Sequence, residues 1–304
     1  MKLEDIATYA QLACVLEVSC PKPGNVSRYH DFDDTKYEHF LVSGIAIGKA
    51  VEDATIGGYR AENGEIGINS IGLGSLIKKA VTESRDIHSG GNTNLGISML
   101  LIPLAAAAGM TMAQGNYSNE QIRENIDRVV KNTTCSDTVA LYDAIKSLKP
   151  SWLDKVKFLD INNEQSLTTI EEQNLSLFDV MNYSKQDTIA KELTTKFEIS
   201  FTVGYPRIVE IFDGTNDINQ AILTCFMTIL SKYEDSLIVK KNGYKVAQEI
   251  SAIAREILDN GLDPTEIENF DKKLRNNGNR LNPGTTADLV TSSLMISFLN
   301  NLKI

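Results

Sequence analysis

The sequence has little cysteine, little histidine and almost no strand pattern, and each scarcity removes a class of answer. Its four cysteines, Cys14, Cys20, Cys135 and Cys225, lie far apart with no CxxC pair, so they read as reduced thiols rather than a structural zinc site. The three histidines, His30, His39 and His88, are not at metal-ligand spacing. Basic residues are outnumbered, 30 Lys and Arg against 40 Asp and Glu, and the net charge of −10 argues against a general nucleic-acid surface while leaving room for a small basic pocket. No internal repeat, low-complexity tract or βαβ alternation occurs. The best β-like run, Ile199-Ser200-Phe201-Thr202-Val203, could equally end a helix. The N-terminus, Met1-Lys2-Leu3-Glu4-Asp5, carries acids where a signal peptide needs a basic start, which leads us to expect a cytoplasmic protein.

What is present is ordinary globular composition, 42% hydrophobic and 23% charged over 304 residues, and a single domain spanning residues 1–304 is expected. The periodicity is helical nearly throughout, so the fold class is all-α. Ile6, Tyr9, Ala10, Ala13, Val15 and Leu16 form an apolar stripe that Pro21 stops. Residues 40–51 continue the pattern after an acidic loop at 31–34, and residues 68–81 read as a helix in which Gly72 and Gly74 permit close contact. Residues 95–113 carry no charge, yet they hold Pro103 and five alanines and open on an Asn-Thr-Asn box, which favours a buried central helix over a membrane span. Ser118 with Gln121 resembles a capping box, Ser136 serves as the next cap, and Pro150 ends that helix. Residues 151–173 are polar and aperiodic and read as a connection. Further helices are expected at 175–201, 214–230, 243–260, 265–276 and 288–302.

Three boxes of small residues stand between these helices: Pro21-Lys22-Pro23-Gly24-Asn25, Gly90-Gly91-Asn92-Thr93-Asn94-Leu95-Gly96 and Asn282-Pro283-Gly284-Thr285-Thr286-Ala287-Asp288-Leu289. Each sets backbone N–H groups, Asn or Thr side chains and a flexible Gly beside a helix end, where the dipole favours phosphate. Each also has a purely structural reading as a turn or a cap. In the first box, Lys22 is an ammonium held between two prolines, with Glu17 about one turn before it. In the third, Asp288 sits in the first turn of a helix, where a carboxylate stabilises the dipole or holds magnesium, and Arg280 precedes it. Asp31, Asp33 and Asp34 form an acidic cluster suited to magnesium or simply to solvent. The Gly-Lys-Ser/Thr ending of a P-loop is absent.

Taken in order, the boxes resemble the triphosphoribosyl-dephospho-CoA synthase family, including its shorter archaeal-type members. Pro21 to Gly24 looks like the family's N-terminal signature, Phe40-Leu41-Val42-Ser43 like its next helix, and Asn92-Thr93 like the start of its Asn-Thr-His-Lys-Gly box. Asp235-Ser236-Leu237-Ile238-Val239-Lys240-Lys241-Asn242-Gly243 is similar to its Asp-Thr-Asn segment with a basic residue and Gly. Pro283-Gly284 with Ala287-Asp288-Leu289 is similar to its Pro-Gly-Gly-Ser-Ala-Asp-Leu box. The chain departs from the family where Asn94-Leu95 replaces His-Lys and where Ser236-Leu237 replaces Thr-Asn.

The resemblance implies an all-helical enzyme that transfers a triphosphoribosyl group from ATP to the ribose 2′-hydroxyl of 3′-dephospho-CoA and releases adenine. Breaking the bond between ribose and adenine builds positive charge at the anomeric carbon, which carboxylates stabilise, while magnesium and cations neutralise the triphosphate. On this reading Asp33, Asp34 and Asp288 bind Mg2+, and Lys22, Lys240, Lys241 and Arg280 contact phosphate. Asn25, Asn92, Thr93 and Asn94 orient ribose and phosphates, beside the Gly24 turn and the Gly284-Thr285 helix start. Glu17 or Asp235 takes the acceptor's proton. A magnesium-dependent nucleotide or ADP-ribosyl N-glycoside hydrolase needs almost the same site, and a non-catalytic nucleotide-binding regulator is the alternative outside enzymes. The expected partners are ATP and a CoA-like acceptor, with neither nucleic acid nor membrane, and a homodimer is the base-rate assembly.

Overall fold

The computed structural model describes residues 2–115, 117–148 and 163–304. The chain forms two compact units, one of Met1–Gln11 with Val42–Phe197 and the other of Leu12–Leu41 with Glu198–Ile304. Two of their boundaries fall inside helices α1 (Leu3–Ser19) and α2 (Tyr37–Ala46), and the third falls between Phe197 and Glu198. The fold is all-α; among the described residues the only strand is the four-residue stretch Asn276–Asn279.

The first unit holds α3 (Gly48–Glu62), α4 (Leu73–Ile87), α5 (Leu95–Gln114), α6 (Asn119–Lys131), α7 (Cys135–Leu148), α8 (Glu164–Glu172), α9 (Leu177–Tyr183) and α10 (Thr188–Thr194). Helix α5 is apolar on every side, so it sits inside the unit with 94% of its most apolar window buried, wrapped chiefly by α3, α6 and α4. Helix α6 is amphipathic and buries Ile122, Ile126, Val129 and Val130, one face at helical spacing. The α3–α5 contact is made at backbone distance. A Cβ on Gly58 would strike the carbonyl of Ala106, and one on Gly109 would strike the carbonyl of Thr55. Between α4 and α7, Gly74 lies against the backbone of Asp137 and donates its N–H to the Asp137 carboxylate at 2.8 Å.

The second unit holds α11 (Tyr205–Thr215), α12 (Ile218–Lys232), α13 (Ser236–Asn242), α14 (Tyr244–Asp259), α15 (Pro264–Arg275) and α16 (Gly284–Leu299). Helix α16 is buried despite its serines and threonines because their hydroxyls turn back on the preceding turn. Thr291, Ser293 and Ser297 donate to the carbonyls of Ala287, Leu289 and Ser293.

Several expected elements change in detail. Residues 68–70 form a separate 3₁₀ turn, because Gly72 takes φ 71° and starts α4 afresh; only Gly74 serves close contact. Helix α7 opens from Thr134, whose N–H and hydroxyl meet Asp137, so Ser136 is not its cap. At α6 Ser118 accepts from Gln121 N as a cap. The stretch 175–201 divides into α9, α10 and a π-helical turn, Ser200–Gly204, that runs into α11, so the β-like residues 199–203 are helical. Asn216, at φ 53°, separates α11 from α12, and α16 starts four residues before Asp288. Residues 149–162, including Pro150 and most of the expected connection, lie outside the described residues, and α8 occupies its last part.

The backbone contact of α3 with α5 generates a stability prediction. Gly58→Ala and Gly109→Ala are each expected to cost about 2–3 kcal/mol, read as a lowered Tm or urea midpoint. Gly214→Ala, where an added Cβ meets nothing within 4 Å, is the control expected to leave the midpoint unchanged or slightly raised.

Candidate functional site

In the second unit the chain leaves α1 through the turn Pro21-Lys22-Pro23-Gly24, with Gly24 at φ 76°. The two prolines stiffen the turn and fold Lys22 back under the end of α1. Its side chain is 0% exposed and Glu17's is 6% exposed, with the ammonium 2.9 Å from Glu17 Oε1. The same ammonium donates to the carbonyls of Glu17 and Cys20. An ammonium has three protons, and here all three have acceptors. Lys22 therefore holds Glu17 and the end of α1 rather than offering a phosphate contact.

The first box is fastened to α15 and to the third box. Gly24 N donates to Asp271 Oδ1 at 2.7 Å, and Arg275, paired with Asp271, donates to the carbonyl of Asn25 at 2.6 Å. Asn25 Nδ2 donates to Asn282 Oδ1. Asn25 is 5% exposed, and its own Oδ1 has no hydrogen-bond partner among the described residues. A buried amide oxygen without a donor asks for one.

The third box is organised by Asp235. Its Oδ1 caps α13, accepting from the N–H of Leu237 at 2.9 Å and of Ile238 at 3.1 Å. Its Oδ2 accepts from Thr286 N at 2.7 Å and Thr286 Oγ1 at 2.9 Å, in the first turn of α16. Pro283, at the N-cap position of α16, provides no side-chain cap, so Asp235 serves two helix starts at once. Ser236 adds a bond to Thr285 Oγ1 at 3.0 Å. Burial pushes the Asp235 carboxyl above the ordinary aspartate value, against the pull of these donors. With both oxygens engaged, Asp235 positions the box and has no capacity left to accept a substrate proton.

Around this clamp lie the remaining charges. Lys241 is half-buried and donates to the carbonyl of Asn279 at 3.2 Å, and Arg280 donates to the carbonyl of Lys241 at 2.6 Å. Burial lowers Lys241 below the ordinary lysine value, with the charges of Asp235 and Asp34 raising it and that of Arg280 lowering it. Asp34 is exposed, with Oδ1 bonded to Thr35 Oγ1 at 3.1 Å. Asp288 is half-buried, and it and Glu17 are the two charges that act on the buried Cys14 thiol, whose pKa burial pushes up. Asp33 and Lys240 are exposed. Asp31 caps the start of α2, accepting from Tyr37 N at 2.9 Å. Among the described residues no group of three or more His, Cys, Asp or Glu side chains is arranged to hold a metal.

The second box belongs to the first unit. Asn92 accepts from Leu95 N at 3.0 Å, Asn94 donates to Ser84 Oγ, and Thr93 joins Ser43 and His88 in a hydroxyl–imidazole cluster. Sequence reasoning passed over His88, Ser84, Asp271 and Arg275. Only the four-residue spacing of Asp271 and Arg275 is a local signal; His88 meets Ser43 across 45 residues.

Two predictions follow from the buried charges. Lys22→Met is expected to destabilise by about 3–5 kcal/mol, because it strands the Glu17 carboxylate, and adding Glu17→Gln should restore most of that loss in a denaturant titration. Asp235→Asn turns an amide toward N–H donors and should cost about 3 kcal/mol, measured the same way, more than the loss of one ordinary cap.

A family model described as CitG, ATP:dephospho-CoA triphosphoribosyl transferase, matches residues 3–304. The chain is 24% identical over 319 residues to a protein of Streptococcus equi subsp. zooepidemicus described as a 2-(5''-triphosphoribosyl)-3'-dephosphocoenzyme-A synthase, covering 98% of this chain and 97% of that one. Among solved structures, a chain from Archaeoglobus fulgidus described as a triphosphoribosyl-dephospho-CoA synthase superposes with a TM-score of 0.65 at 22% identity, over 88% of this chain and 100% of that chain. At that identity the likeness carries the fold. With nearly the whole sequence matched, the chain belongs to the family of ATP:dephospho-CoA triphosphoribosyl transferases.

Proposed function

We infer that the protein transfers the triphosphoribosyl group of ATP to the 2′-hydroxyl of 3′-dephospho-CoA. The 2′-oxygen bonds to C1′ of the ATP ribose, the C1′–N9 bond breaks, and adenine leaves with the electron pair and takes up a proton. The observation that carries this reading is the junction of the family's first and third boxes in one unit, where Asn25 meets Asn282 and Asp235 meets Thr286, beside the cations Lys241 and Arg280.

Each residue's surroundings support a role. Lys241 and Arg280, with exposed Lys240, suit the triphosphate, and Thr285 and Gly284 open α16 toward it with the positive end of the helix dipole. The orphaned Asn25 Oδ1 suits a ribose hydroxyl as donor. Glu17, paired with the Lys22 ammonium at 2.9 Å, is the carboxylate suited to the acceptor's proton or to the positive charge developing at C1′. Asp235 and Lys22, saturated by their own partners, act by positioning.

The donor chemistry fits magnesium carried by the nucleotide: such an ion takes one or two carboxylates and completes its shell from phosphates and water, so no protein cage is needed. Asp288 and Asp34, with Asp33, are the carboxylates that would hold it. Bound there, magnesium would neutralise the triphosphate.

The test is to incubate the protein with ATP, Mg2+ and 3′-dephospho-CoA and follow adenine and CoA-derived masses. Adenine together with a triphosphoribosyl adduct is expected. Adenine alone would make the protein an N-glycoside hydrolase, and tight ATP binding without adenine a regulator. Asp288→Asn is expected to lower Mg2+-dependent turnover at least 100-fold with an unchanged melting curve, and undiminished turnover would remove Asp288 from the site.

A further inference from the structure

Asp271 and Arg275 on α15 make bonds that reach well outside their own helix. Arg275 Nε lies 2.9 Å from Asp271 Oδ1 and 2.8 Å from Oδ2, one turn away, and the two side chains are only 20% and 19% exposed, unlike an ordinary surface ion pair. What the pair holds is a turn. Asn25 N donates to the carbonyl of Lys22 at 3.2 Å, closing Lys22-Pro23-Gly24-Asn25 with proline second and Gly24, at φ 76°, third, the pattern of a type II β-turn. Such a turn closes on its first carbonyl and last N–H, which leaves the Gly24 N–H over, and Asp271 Oδ1 accepts it at 2.7 Å. Just past the turn, a terminal nitrogen of Arg275 donates to the carbonyl of Asn25 at 2.6 Å while its Nε stays on Asp271. The fit is close: a Cβ on Gly24 would come within 2.9 Å of the Leu274 side chain and 3.1 Å of Pro283 Cδ.

Asn25 is gripped from three directions as a result. Its N–H goes to Lys22, its carbonyl to Arg275 and its Nδ2 to Asn282. Only its Oδ1 has no partner among the described residues, although the residue is 5% exposed. A freely swinging amide would turn that oxygen toward a donor of its own choosing. An amide fixed at its backbone and at its nitrogen keeps the oxygen in place, so the demand for a donor is tied to one position.

We propose that Asp271 and Arg275 are positioning residues for nucleotide selection: by fixing both ends of the Gly24–Asn25 segment they hold the Asn25 amide oxygen for a hydroxyl of the ATP ribose, so that the protein takes ribonucleotides in preference to deoxyribonucleotides. An analogue without that hydroxyl leaves the acceptor unpaired and is bound less well for that reason. Every residue in the argument lies in the second unit. The inference rests on the transferase reading for the identity of the nucleotide and for the ribose contact of Asn25, and its test reads binding separately from turnover.

The experiment compares the affinities of ATP, 2′-deoxy-ATP and 3′-deoxy-ATP by titration calorimetry in the parent, Asn25→Ala, Arg275→Lys, Arg275→Met and the double variant Asn25→Ala with Arg275→Met, with a melting curve for each and adenine release measured in parallel. The parent is expected to bind ATP about ten-fold more tightly than one of the deoxy analogues, and Asn25→Ala to bind the two within about two-fold of each other. Arg275→Lys keeps a cation beside Asp271 but has no second nitrogen to carry across to the Asn25 carbonyl. It is expected to cut the preference to about two-fold by weakening ATP and not the deoxy analogue, with a melting curve close to the parent's. Arg275→Met should lose the preference likewise, and the double variant should show no less preference than Asn25→Ala alone, because the pair acts through Asn25. Equal weakening of ATP and both analogues in the Arg275 variants would make the pair a fastening only and overturn the proposal, as would a preference that survives in Asn25→Ala. A parent that binds all three alike would overturn the proposal and leave the transferase reading standing. The expected preferences without any release of adenine, with or without 3′-dephospho-CoA, would overturn the transferase reading alone. A parent that does not bind ATP would overturn both.

Discussion

The Asp235 carboxylate is the constraint on which the second unit's site depends. Two helices, α13 and α16, begin beside it, and each presents N–H groups that have no partner in their own helix. Asp235 answers both with one buried carboxylate, Oδ1 to Leu237 and Ile238 and Oδ2 to Thr286. Burial works against its charge, yet four donors work for it, and the bonds are made only while the two helix starts stay in register. That register fixes the Asn282-Pro283-Gly284 turn, and through Asn282 it fixes Asn25. On the other side it sets Lys241 at the end of α13 beside Arg280. The carboxylate expected from the sequence to take the acceptor's proton is in the folded chain the fastening of two helix starts and of the third box.

Helices whose ends are set by local chemistry were legible in the sequence. Ser118 caps α6, the helix expected from residue 265 starts at Pro264 behind the Asp263 cap, and α5 reads as a buried core helix because no polar stripe interrupts it. The breaks that were missed have tertiary causes. Phe197 sits at φ 54°, a strained backbone for an aromatic residue, and its side chain is 0% exposed, so packing holds a conformation that no propensity foretells. The π turn at Ser200–Gly204 follows directly and carries β-branched and aromatic residues that periodicity assigns to a strand as readily as to a helix.

The second unit's polar residues were legible as motifs and illegible as contacts. Glu17, Lys22, Asn25, Asp235, Lys241, Arg280 and Asp288 were all named from motifs, and all fall within the second unit. Their division of labour depends on partners far along the chain. Asp235 takes its second helix start 51 residues away, and Asn25 finds Asn282 at a separation of 257. Lys22 is the exception: its partner Glu17 is near, but only the folded turn of two prolines makes the pair internal.

A division between saturated and unsaturated polar groups connects this geometry with catalysis. Lys22 and Asp235 are buried and have every hydrogen-bonding position occupied, so they cannot reorganise when charge develops nearby. Asn25 Oδ1 keeps capacity that the described residues do not use. A site that stabilises a transition state needs both kinds, because donors and acceptors aimed in advance lower a barrier only if something else holds them still. In water, an amide or a hydroxyl would turn to follow the solvent; set on saturated, buried charges, it keeps its direction. The cost of burying Asp235 and the Glu17–Lys22 pair thus goes into holding their neighbours in fixed directions, which is the preorganisation that such chemistry demands.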